Sequence, residues 1–299
     1  TGASNTAVGS QVLAANTTGS ENTVVGKDAM VDNTTGGSNT ALGKSALGNN
    51  TTASNNVAIG HGSMFDNTTG TSNTAIGYTA LGDNTTASNN TAVGYLSLRL
   101  NTTGTDNVAV GNQALNANTT ASNNTAVGDV ALSNNTEGFS NTAVGATAML
   151  GNTTGDQNTA IGANALDANT TADNNTAVGN AALGANTTGA FNTAIGSGAL
   201  DANTTSSSST AVGYNSLTAN TAASNTAVGK DSLESNTTGG NNVAVGADAL
   251  AANTTASNNT AIGKSALIAN TTGATNTAVG GSSLAVSYTH LRAHETMVD

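Results

Sequence analysis

One apolar–polar pattern repeats along the whole chain. A Val, Ile or Leu precedes a Gly, a Leu or Met follows four residues after that Gly, and small polar residues fill the rest. The first column begins Val8, Val25, Leu42, Ile59 and the second Leu13, Met30, Leu47, Met64. The glycines between them run Gly9, Gly26, Gly43, Gly60 and on to Gly280. Every step is 17 residues except Gly213 to Gly229, which is 16. The missing residue falls in Ala222-Ala223-Ser224-Asn225, where sister repeats read Thr-Ala-Ser-Asn-Asn, which marks a loop. Each repeat reads Asn-Thr-Ala-Val-Gly, two variable residues, Ala/Ser-Leu, two variable residues, Asn-Thr-Thr and a small polar turn. That turn alternates loosely between Thr-Gly-x-x and Thr-Ala-Ser-Asn, a trace of a two-repeat, 34-residue period.

A period this short excludes two-helix repeats, and β-branched residues beside Gly read as a short strand. The predicted fold is all-β: a β-solenoid, or β-roll, of about 17 stacked 17-residue rungs over residues 1–285, with two short strands per coil. Gly and Asn supply the positive φ of the corners. At about 4.8 Å per rung the rod is on the order of 80 Å long. The Val/Ile and Leu/Met columns, as the only invariant large apolar positions, are expected to be buried in every rung. The Ala column two before each Gly (Ala7, Ala41, Ala58, with Val24 the exception) then lies on the other strand face, a smooth surface for a sister chain.

Burying one Val/Ile and one Leu contributes roughly 3–6 kcal/mol. Ordering a rung costs about 1–2 kcal/mol per residue in backbone entropy. A single coil cannot stand alone, so stability has to come from stacking and from association with sister chains.

Composition narrows function. Aromatics are 2% and charged residues 8%, with no Trp, Cys or Pro, so neither a thick globular core nor a disulfide or thiolate metal site is available. The net charge is −11, and six Lys and Arg without a basic cluster argue against nucleic acid. No run of eighteen apolar residues occurs, so no membrane insertion of this segment is expected. The opening Thr1-Gly2-Ala3-Ser4-Asn5 matches the end of a rung, so the chain is read as starting mid-repeat. Residues 286–299, including Ser287-Tyr288-Thr289-His290-Leu291-Arg292, have no repeat phase. They read as translated sequencing-adaptor DNA of the sort found in metagenomic assemblies, the alternative being the start of a following domain. They are set aside from function.

No catalytic constellation is found, and no enzyme, cofactor or metal is expected. His61 is the only His within the array, at a variable position, and is taken as a surface residue. Gly60-His61-Gly62 is not followed by the strand–loop–helix of a phosphate loop. The Asn column seven after each Gly (Asn16, Asn33, Asn50, Asn67, through Asn270) has sixteen members, fourteen of them in Asn-Thr-Thr, a formal glycosylation acceptor. Acceptors about 4.8 Å apart cannot all carry glycans, so an Asn ladder satisfying corner backbone groups is preferred. Tyr78, Tyr95, Tyr214, Phe139 and Phe191 occupy variable positions able to touch sugars.

Asn-Thr-Ala-Val/Ile-Gly-x-x-Ala-Leu resembles the repeat of YadA-like heads in trimeric autotransporter adhesins. It is still more similar to the Asn-Thr-Ala-Val-Gly/Asn-Thr-Thr-Gly arrays of phage and bacterial tail-fibre-like proteins. The resemblance covers residues 1 to about 285. It implies a left-handed β-roll, a homotrimer, display on a cell surface or virion outside the cell, and adhesive attachment to a host-surface or carbohydrate ligand. The rung is longer than in the adhesin heads, the Asn-Thr-Thr segment being extra. The loops between Asn-Thr-Thr and the next strand are expected to carry recognition. The alternative function is an ice-binding solenoid using stacked Asn-x-Thr ladders; among these, Glu137 is the only charge in the column nine after each Gly.

Overall fold

The computed structural model describes residues 2–285, so the expectation that the tail does not extend the ladder lies outside the described residues. Seventeen three-residue strands, from β1 (Thr6–Val8) to β17 (Thr277–Val279), form one parallel sheet, each pairing with the strand one rung on; no helix occurs among the described residues. Register is strict: Thr125 faces Thr142, Ala126 faces Ala143 and Val127 faces Val144. It survives the short rung, where Val212 faces Val228. The protein is therefore a β-solenoid.

Each coil contains one strand, not two. The second segment fails to be extended because two of its residues adopt left-handed backbone. In one rung these are Val130 (φ 49°) and Leu132 (φ 52°), with Asn123 (φ 62°) before the strand and Gly128 (φ 139°) after it. Left-handed backbone costs a non-glycine residue roughly 1–2 kcal/mol, yet the Leu/Met column adopts it in every rung. The segment is still laddered to its neighbours. Gly128 N–H donates to Val110 O (2.8 Å) and Val130 N–H to Asn112 O (2.9 Å), both one rung back. Leu132 N–H then donates forward to Ala148 O (2.9 Å). Hydrogen bonds thus bind each rung to both neighbours around most of the coil, which satisfies the backbone without a second strand.

The two strand faces are the reverse of the expected ones. Beyond the first rung, where Ala7 is exposed, the Ala column is buried, while the Val/Ile column points outward: Ile76 is 37 % exposed and Ile262 42 %. Strand alternation puts Thr and Val on one face and Ala on the other. The interior is only one Leu thick, so the residue facing Leu or Met across it must be small. From Met30 to Leu267 the Leu/Met column is buried, as expected, and an Ala/Ser column three after each Gly packs beside it; only at the two end rungs are Leu13 and Leu284 partly open to solvent. Val24 is the one larger residue accepted in the Ala column. The Ala face therefore cannot receive a sister chain; the outward Thr–Val/Ile face is the regular one available.

The glycine column is set by contact as well as by φ. A Cβ built on Gly94 would fall 2.2 Å from Gly111 O, and one on Gly111 would fall 2.1 Å from Gly128 O.

Candidate functional site

Asn16, Asn33, Asn50 and Asn67 are stacked where the array predicts, and from Asn33 onward the column is buried. Asn33 Nδ2 donates to Asn16 Oδ1 (2.9 Å), Asn50 Nδ2 to Asn33 Oδ1 (2.8 Å) and Asn67 Nδ2 to Asn50 Oδ1 (3.1 Å), giving a chain of carboxamides along the rod. The other Nδ2 hydrogen goes to a carbonyl three residues on, as from Asn33 to Gly36 O (3.0 Å). In the folded chain an amide so enclosed is out of reach of a glycosylating enzyme.

A second buried Asn column, four before each Gly, went unassigned in the sequence although its residues open the repeat motif. Asn39 Oδ1 accepts the backbone N–H of Asn56 (3.0 Å), and Asn22 Nδ2 reaches the same Gly36 carbonyl (3.0 Å) that Asn33 uses. Two Asn columns thus converge on one carbonyl per rung and close the corner from both sides. The Thr after the first Asn adds a third ladder, with Thr34 Oγ1 donating to Thr51 O (2.9 Å). Because the Asn of each Asn-x-Thr unit lies inside, that ladder presents only its Thr column outward.

These columns are scaffold. The varied chemistry lies elsewhere, at positions one, two, five and six after each Gly, not mainly in the loops before the strand. All five Lys and Arg of the array (Lys27, Lys44, Arg99, Lys230, Lys264) fall there, as do ten of its fifteen Asp and Glu. His61, Tyr78 and Tyr95 share one of these columns on consecutive rungs. His61 is accordingly not isolated: its ring stacks on Tyr78 (centroids 5.3 Å, planes 11° apart), and Tyr78 stacks on Tyr95 (5.6 Å, 18°). The signal was the 17-residue spacing of three ring residues, visible once variable positions are read as columns.

Beside this stack is a recess of about 340 Å³. It opens because two column positions lack side chains: Gly62 between Ser45 and Thr79, and Gly82 between Phe65 and Arg99. The Phe65 ring leans back over Gly48, where an added Cβ would meet Cε2 at 2.7 Å. Asp66 and Asp83 stand on adjacent rungs at its edge, and Asn49 Nδ2 fixes Asp66 Oδ1 at 2.9 Å. Burial pushes the Asp83 carboxyl above its ordinary value; Arg99 pulls it down and Asp66 pushes it up. Lys44 and His61 also line it.

A second acidic spot lies further along. Asp167 and Asp201 bracket Gly184, and a Cβ there would sit 2.9 Å from Asp201 Oδ1 and 3.6 Å from Asp167 Oδ1. Burial raises both carboxyls, and for Asp167 the charge of Asp201 adds to it. No group of three or more His, Cys, Asp or Glu suited to a metal occurs among the described residues. No helix there is long and apolar enough to cross a membrane.

Neither the comparison with protein-family models nor the search of curated proteins returned a match to this chain.

Proposed function

We infer that this chain is a rigid segment of an extracellular attachment fibre, displayed on a cell surface or a virion, with a binding and structural role and no catalysis. The observation that carries this reading is the segregation of its chemistry. Inward columns repeat rung after rung, whereas charge and aromatic rings are kept to outward positions, most of them flanking the Leu column and the rest in the loops before the strand. A regular scaffold with adaptable surface contacts is how recognition on a solenoid is built. The similarity of the repeat to adhesin heads and tail-fibre arrays points the same way.

Sister chains complete the fibre. The outward Val/Ile column makes an apolar stripe repeating at about 4.8 Å over the length of the rod. A partner that covers it must repeat at the same spacing, and another copy of this chain does. Association through this stripe into a homotrimer replaces the Ala-face contact, which the buried Ala column rules out. The functional test is attachment: beads coated with the protein are perfused over host cells and glycan-bearing surfaces, against beads coated with an unrelated solenoid. Retention specific to this chain is expected; equal retention of both coatings contradicts the reading.

A further inference from the structure

The recess on the third to sixth rungs has the makings of a ligand site. Its volume, about 340 Å³, falls within the ordinary range for small-ligand clefts, roughly 300–1,000 Å³. It exists because glycines stand at two column positions on successive rungs where neighbouring rungs carry side chains. Those neighbours supply two kinds of surface. Phe65, 40 % exposed, offers an apolar ring, and His61 is held in orientation by stacking on Tyr78. Asp66 and Asp83 offer hydrogen-bond acceptors, while Arg99 and Lys44 offer donors.

Two carboxylates and two cations leave no formal charge over the recess. A cationic ligand would meet Arg99 and Lys44, and an anionic one would meet Asp66 and Asp83. A ligand with an apolar face and a rim of groups that both donate and accept meets no such opposition. A pyranose ring has that form: C–H faces suited to an aromatic wall, and hydroxyls that donate to carboxylates and accept from guanidinium and ammonium groups.

We propose that the recess bounded by Phe65, Asp66, Gly82, Asp83 and Arg99 binds a sugar ring of a neutral glycan. This rests on the attachment reading and gives it a ligand class and an address. Asp66, fixed by Asn49, and Asp83 accept hydroxyl protons, Arg99 donates, and Phe65 packs against the ring face. This combination of residues occurs once in the sequence, so binding there scales with the number of chains and not with the number of rungs.

The test uses the full chain, titrated with neutral hexoses and oligosaccharides and, separately, with sialic acid and choline, read by chemical-shift changes at His61 and Tyr78. Gly82→Asn fills the recess with the residue type that Asn116 places in the same column two rungs on. Asp83→Asn keeps shape while removing an acceptor charge, and decides the matter if Gly82→Asn does not fold. Each is expected to weaken neutral-glycan binding by about tenfold or more, Asp83→Asn by losing a charge-assisted hydrogen bond and Gly82→Asn by occupying the space of the sugar ring. Tyr214→Ala, remote from the recess, leaves binding unchanged. Failure to bind any neutral saccharide, binding of the charged probes alone, or affinity unmoved by Asp83→Asn overturns the proposal. Attachment that persists without saccharide binding overturns this inference alone, whereas loss of chain-specific attachment overturns the reading beneath it.

Discussion

Val130 occupies left-handed backbone (φ 49°) at a position where Gly62, Gly198, Asn164 and Asn215 stand in sister rungs. A β-branched residue is poorly suited there, and Asn tolerates that conformation. Val130→Asn is expected to stabilise the rod by about 1 kcal/mol, seen as a rise in thermal midpoint; a fall would show that Val130 contributes packing outweighing its backbone cost. Asn118 tests the buried ladder. Its Nδ2 donates to Asn101 Oδ1 (2.8 Å) and Ala121 O (2.9 Å), and its Oδ1 accepts from Asn135 (3.1 Å). Asn118→Ala strips partners from buried groups at about 1–3 kcal/mol each. Mass spectrometry after expression in a glycosylating host should find Asn118 unmodified. At this scale the sequence was legible where one side chain has one role: the Leu column, the Gly column and the first Asn ladder were all readable from spacing. It misled at Val/Ile because size was taken as the index of burial. In a core one Leu thick, Ala is what fits opposite, and that limit comes from the cross-section of the coil, which no single repeat discloses.

The rung is the cooperative element, and one rung is defective. Between β13 (Thr210–Val212) and β14 (Thr226–Val228) the chain is one residue short. Asn220 Nδ2 turns to Ala222 O (2.7 Å) instead of to the rung before, and the buried Asn203 Oδ1 is left without a partner. Ser209 stands in the second Asn column there and accepts the Asn225 N–H at 3.4 Å, against 2.9–3.0 Å at intact rungs. A linear array opens at its weakest interface. Limited proteolysis should therefore cut first within residues 204–224, and Ser209→Asn combined with one residue inserted after Ala222 should suppress that cut. First cleavage in an unbroken stretch would contradict this. The inverted strand faces have their own test in neighbouring residues. Ala126→Leu overpacks the interior at about 1–3 kcal/mol or more, whereas Val127→Thr on the outer face stays within about 0.5 kcal/mol for an isolated chain. The deletion was legible as a loop from its flanking phase. Its effect on two ladders was not, because the second Asn column had been read as part of a strand motif and given no hydrogen-bonding role.

Across the whole molecule, acidity and assembly set behaviour. Burial raises Asp83, Asp156, Asp167 and Asp201 above the ordinary carboxyl value of 3.8. The fold therefore favours their protonated forms. The associated stability is fully present below about 3.8 and is lost as pH rises through the raised values. Relief of self-repulsion in a chain of net charge −11 acts in the same direction. The thermal midpoint should be higher near pH 4 than near pH 7, and replacing both Asp167 and Asp201 with Asn should flatten the difference. A rod that loses stability steadily on acidification would contradict this. The assembly claim rests on the outward Val/Ile stripe, and it decides whether the chain is a fibre. Light scattering on the full chain, beside a variant carrying Lys in place of Val110, Val127, Val144 and Val178, measures it directly. Three chain masses at all concentrations for the natural sequence, and one chain mass with an unchanged β spectrum for the variant, are predicted. A cooperatively folded natural chain that scatters as a monomer at every concentration would contradict the account.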